Sequence, residues 1–175
     1  MKLFGPLARA AAFAGLALAG MVAALPVMAG PAEVALLESY VGSWSGRGEV
    51  TGARSETLVC KLTIKPGTGE KVNFSGRCAV AGATMSVNGT MLYVDANRRF
   101  EAAMTATGGY TGVAVGKRSG DNVVFNLREK GADDEGRALT VVASITLNAA
   151  KITVDFKVTF NDSGETMQAS VPFTQ

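Results

Sequence analysis

From Ser43 to the C-terminus, apolar residues return at every second position, in blocks separated by short polar or glycine-containing breaks. Gly42, Trp44, Gly46 and Gly48 share one face of the first block, so the only tryptophan stands on a strip with almost no side chain. Leu58, Cys60, Leu62 and Ile64 form the next apolar row, followed by Val72, Phe74, Gly76, Cys78 and Val80. Met85, Val87, Gly89, Met91 and Tyr93 come fourth, then Phe100, Ala102, Met104 and Ala106, and then Val113 and Val115. Val123, Phe125 and Leu127 make the seventh row, and Leu139, Val141, Ala143, Ile145 and Leu147 the eighth. Ile152 to Phe160 and Met167 to Phe173 supply the last two. The intervening positions are mainly Thr, Ser, Lys, Arg, Asn and Glu, as on strands with one buried face. Ahead of this series, Val34, Leu37 and Val41, flanked by Leu36 and Tyr40, have helical spacing behind Pro31. The spacing predicts a short helix over 31–41, serving as a lid on the end that Trp44 plugs.

Turn chemistry tests the strands, because register and face are locked together. A Gly82-Ala83 turn sets Val80 against Met85, Cys78 against Val87, Gly76 against Gly89 and Phe74 against Met91. A Gly108-Gly109 turn sets Met104 against Val113 and Ala102 against Val115. A loop of Arg118, Ser119 and Gly120 puts Val115 against Val123. Centring on Ala149-Ala150 pairs Leu147 with Ile152, and centring on Ser163-Gly164 pairs Phe160 with Met167. A hairpin through Pro66 to Gly69 sets Ile64 against Phe74, Leu62 against Gly76 and Cys60 against Cys78. Opposed cysteines at that spacing can form a disulfide. Only Lys130 to Arg137 makes a longer, acidic connection, so neighbouring strands must be antiparallel. The expected fold is all-β: a ten-stranded antiparallel up-and-down barrel, with a short N-terminal helix and its first and last strands paired to remove the edges.

The first 29 residues stand apart. Lys2 and Arg9 begin a segment whose stretch from Ala10 to Val27 carries no charge, and Val27-Met28-Ala29 offers a cleavage site. The reading is a removed signal peptide (1–29), a helical lid (30–42) and a barrel domain (43–175), with no stable membrane insertion after removal. The competing reading is a retained anchor. Without Lys2 and Arg9, the 17 basic residues fall to 15, equal to the 15 acids. A neutral chain with no basic run argues against nucleic acid as a partner. Two cysteines in an exported protein point to a disulfide, and the expected location is periplasmic or secreted.

Gly42-x-Trp44 at the start of the first strand, after a short helix, resembles the calycin superfamily of lipocalins and fatty-acid-binding proteins. The longer form Gly42-x-Trp44-x-Gly46-x-Gly48, followed by ten strands, is most similar to nitrobindin-type barrels. Only seven residues separate Val50 from Leu58, leaving no room for the helical pair that fatty-acid-binding proteins insert there. The resemblance implies a calycin-like barrel. Nitrobindin-type proteins hold haem through a histidine, and this sequence contains none, so that ligand does not carry over. Tyr40, Tyr93, Tyr110 or a methionine could in principle replace it, but on apolar faces such residues belong to ordinary core, and no cofactor is expected.

The lack of histidine also removes Ser-His-Asp and Cys-His catalysis, and no phosphate-binding glycine loop has the required context, so no enzymatic activity is expected. Asp133, Asp134 and Glu135 read as a solvated loop before a calcium site, and no metal is expected. What remains is the lumen. A ten-stranded barrel exceeds the size that its side chains just fill. With Gly46, Gly48, Gly76, Gly89, Ala102, Ala106, Ala143 and Ala169 inside, a cavity is expected. Its candidate lining is Trp44, Phe74, Met91, Tyr93, Phe100, Met104, Phe125, Phe156 and Phe160. The function predicted is carriage of a small apolar ligand, a lipid or acyl chain. The alternatives are a side-chain-filled structural or protein-interaction module, and an outer-membrane barrel with Lys61, Arg77 and Lys157 lining its lumen.

Overall fold

Ten antiparallel strands close on themselves in a computed structural model that describes residues 30–175 apart from 108 and 134. The predicted signal peptide lies outside the described residues. In chain order the strands are β1 (Gly42–Thr51), β2 (Glu56–Pro66), β3 (Lys71–Val80), β4 (Ala83–Val94) and β5 (Arg99–Ala106). They continue as β6 (Tyr110–Ser119), β7 (Asn122–Ala132), β8 (Ala138–Leu147), β9 (Ile152–Phe160) and β10 (Thr166–Thr174). Each strand pairs with its sequence neighbours, and β1 closes on β10 with Gly46 opposite Phe173 and Val50 opposite Ala169. This is the predicted up-and-down barrel. One helix, α1 (Gly30–Glu38), precedes it and stops short of the predicted Val41, because the chain turns at Ser39 to Val41 to enter β1.

The apolar rows point inward. Outward rows carry Lys61, Arg77, Lys157 and other polar groups, with only scattered exposed apolar residues such as Val59 and Val113. The polar wall is the reverse of the outward apolar band that a membrane-spanning barrel presents.

Registers separate what turn chemistry fixes from what it leaves open. Cys60 lies opposite Cys78 and the two are bonded, as the hairpin predicted; Leu147 lies opposite Ile152, also as predicted. Two pairings slip by two residues and keep their faces. The β3–β4 turn is Ala81-Gly82, both with positive φ (48° and 81°), so Val80 meets Ala83 and Phe74 meets Gly89. In the β9–β10 ladder, Met167 meets Val158 instead of Phe160. On β6 the prediction fails. β5 ends at Ala106 and β6 begins at Tyr110, so Met104 faces Gly112 and Ala102 faces Ala114. That odd shift turns Val113 and Val115 outward and brings Tyr110, Gly112, Ala114 and Gly116 inside. The β6–β7 turn is Gly120-Asp121, which sets Arg118, and not Val115, against Val123.

The barrel end carrying the start of β1 is a solid core. Leu37, Tyr40, Trp44, Ile64, Phe100 and Leu147 are among its fully buried side chains. Both large polar rings find partners: Trp44 Nε1 donates to the Tyr40 carbonyl at 3.0 Å, and Tyr40 Oη donates to the Asp121 carbonyl at 3.1 Å. With Glu33 of α1 paired to Arg118 of β6 at 3.5 Å, these bonds tie the helix segment to the β6–β7 turn.

Burial raises the pKa of Tyr40 to about 12, with Asp121 adding to the shift and Arg118 opposing it. A pKa raised on folding means that the stability held by the neutral phenol is complete below the ordinary tyrosine value of about 10. It is lost as pH rises through about 12. Ultraviolet titration of phenolate is expected to show Tyr40 ionising only together with alkaline unfolding. Reversible ionisation at pH 10 in the folded protein would contradict the burial assigned to it.

Candidate functional site

The two halves of the lumen differ. In the base, Trp44, Phe100, Phe125 and Met91 are buried, and Tyr93 packs edge-on against Phe100 at 5.0 Å, with Phe125 edge-on to the same ring at 6.4 Å. These five of the nine predicted lining residues therefore form the plug. Toward the other end, inward side chains keep partial exposure: Val87, Met104, Val141, Ala143, Phe156 and Val158. On the same half Leu58, Cys60 and Ala169 are buried, so the inward exposure is confined to part of the wall.

Small inward residues do not leave voids in the way their sequence suggests. A Cβ on Gly116 would lie 2.7 Å from the Phe125 ring, one on Gly46 would lie 2.8 Å from Phe173, and one on Gly89 would overlap the Phe74 ring. Aromatic rings lying over glycines occupy that space, which corrects the expectation that the glycines themselves make the cavity. Phe74 serves in this way. Phe160 stands at the mouth rim with the Arg137 guanidinium 4.7 Å from its ring centroid. Of the nine, Met104 and Phe156 remain partly exposed on the inward rows, and both also border clefts on the outer face.

Two clefts of about 520 and 560 Å³ lie on the outside of the wall. One runs over Glu49, Ser144, Asp155 and Lys157 and the other over Asn88, Thr90, Thr105 and Val113; both are shallow and open to solvent. In the acidic loop, Asp133 accepts from the backbone amides of Glu135 and Arg137 and from Arg137 Nε at 2.7 Å, so its carboxylate is committed to shaping the turn.

Sequence reasoning missed three mouth residues. Tyr110 and Gly112 entered the lumen through the unforeseen face of β6, and Glu129 continues the inward row of Val123, Phe125 and Leu127. The signal for Glu129 was available in its spacing from Leu127. It was obscured because a carboxylate in an apolar row reads as the end of the strand.

No family model and no curated protein matches this sequence. Solved structures do. The chain is similar to Rv2717c from M. tuberculosis, with a TM-score of 0.64 at 13% identity over 81% of this chain and 96% of that one. It is also similar to the S-type phycobiliprotein lyase CPES from Guillardia theta, with a TM-score of 0.50 at 10% identity over 81% and 90% of the two chains. What is shared is a small β-barrel fold.

Proposed function

We propose that this protein binds a small apolar molecule in the mouth half of its barrel, as a carrier and not as an enzyme, in the periplasm or outside the cell. The observation that carries this reading is the partial exposure of inward apolar side chains above a fully packed base. Apolar surface facing an enclosed, wettable space gains free energy when a ligand replaces the water, at about 25 cal/mol per Å². Met104 supplies an adaptable contact and Phe156 a large flat one. The Cys60–Cys78 disulfide fits an oxidising compartment.

The test is a saturable rise in fluorescence of the neutral probe N-phenyl-1-naphthylamine, compared between the native protein and Ala143→Trp. Ala143 faces inward between Leu127 and Phe156, so an indole there should fill the mouth half and weaken binding at least tenfold. The fold should survive, since overpacking of this kind costs about 1–3 kcal/mol. Unchanged binding in the variant, or no saturable binding in either protein, would favour a barrel filled by its own side chains.

A further inference from the structure

The ladder between β6 and β7 is parted near the mouth. The two strands pair from Ser119 opposite Asn122 up to Val115 opposite Asn126. Beyond that, Tyr110 to Ala114 and Leu127 to Ala132 make no ladder pairs with each other, although β6 stays paired to β5 and β7 to β8 along these lengths. Tyr110 and Glu129 stand on either side of the parting, both on inward rows.

The Tyr110 ring lies along its own strand over Gly112, where an added Cβ would sit 2.5 Å from the phenol oxygen. That oxygen is buried and has no hydrogen-bond partner among the described residues. A buried hydroxyl without a partner is costly, and in native proteins it calls for an explanation. Burial and, second to it, the Glu129 charge raise the pKa of Tyr110, so near neutral pH the phenol is a donor awaiting an acceptor. Glu129 forms no ion pair among the described residues. A donor and an acceptor thus face the parting from either side without bonding to each other.

We infer that the parted segment of β6 and β7 is the head-group end of the lumen, and that it takes an apolar molecule carrying an aliphatic hydroxyl. The inference rests on the lumen-binding reading above. A hydroxyl is both acceptor and donor, so one such group can accept a hydrogen bond from Tyr110 Oη and donate one to the Glu129 carboxylate. A carboxylate head would accept from Tyr110 but would set its charge beside Glu129 in a medium that screens poorly. An ammonium head would suit Glu129 and leave Tyr110 unpaired. Met104, opposite Gly112 on β5, provides the adjoining apolar contact. A free fatty acid, the simplest acyl ligand, is therefore the wrong head group for this mouth.

Isothermal titration of the full-length protein at pH 7.4 with 1-decanol, decanoate and decylamine separates the possibilities, because the three share one chain length. Decanol is expected to bind at least ~10-fold more tightly than decanoate. Tyr110→Phe, which keeps the ring over Gly112, should weaken decanol about tenfold. Glu129→Gln should narrow the gap between decanol and decanoate. Equal affinities for all three, indifferent to both substitutions, would overturn the head-group assignment and leave lumen binding standing; Tyr110 would then be satisfied by water alone. Binding of none of the three would remove both. If a variant fails to fold, the order of the three affinities in the native protein decides.

Discussion

Trp44→Ala is expected to lower stability by about 3–5 kcal/mol, the range for deleting a large buried aromatic ring. The indole is 1% exposed and belongs to the same buried core as Leu37, Tyr40 and Phe100. Its Nε1 also satisfies the Tyr40 carbonyl where α1 passes into β1, so truncation removes a plug and leaves an acceptor without its donor. The cavity cannot collapse readily, because the barrel wall around it is held by continuous ladders. For a chain of this size the loss corresponds to a fall in Tm on the order of 10 °C. Trp44→Phe should recover much of the packing but not the hydrogen bond. A loss under about 1 kcal/mol for the alanine variant would show that the base is not the packed end described here.

Removing the disulfide is the second large effect. Cys60 and Cys78 are 18 residues apart in sequence and face each other across β2 and β3, on the inward rows. Cross-linking a loop of that length is worth about 3 kcal/mol through the unfolded chain. Cys60→Ala and Cys78→Ala together should therefore lower the urea midpoint by about 1–3 M, that energy divided by an m-value of about 1–3 kcal/mol per M. The ladder around them is complete, with Leu62 opposite Gly76 and Leu58 opposite Val80, so the native register is expected to persist without the bond. A double variant as stable as the native protein would contradict the assigned role.

Alternation and turns carried most of this architecture because a strand's face is preserved under any even slip of register. The Ala81-Gly82 and β9–β10 slips show this: the predicted partners were wrong and the inward rows were right. The β5–β6 connection shows the opposite case. A glycine pair permits either a two- or a three-residue link, and the bulkier row, Val113 and Val115, looked like the buried one. The lumen needed the smaller row, because Phe125 lies against Gly116 and the Tyr110 ring covers Gly112. The Phe125 ring reaches Gly116 across strands, so no periodicity along one strand reveals that contact. The candidate site suffered most from this. Aromatic residues that looked like a cavity lining are mainly its floor, while the polar pair at the mouth, Tyr110 and Glu129, lay on a face assigned outward and in a row taken as purely apolar.

The most direct measurement is a crystal structure of the protein soaked with 1-bromododecane, located by the anomalous signal of bromine. Lumen binding predicts bromine inside the wall, between the packed base and the mouth, within contact of Val87, Val141 or Val158. Bromine found only in the outer clefts beside Val113 or Val142, or nowhere, would contradict it.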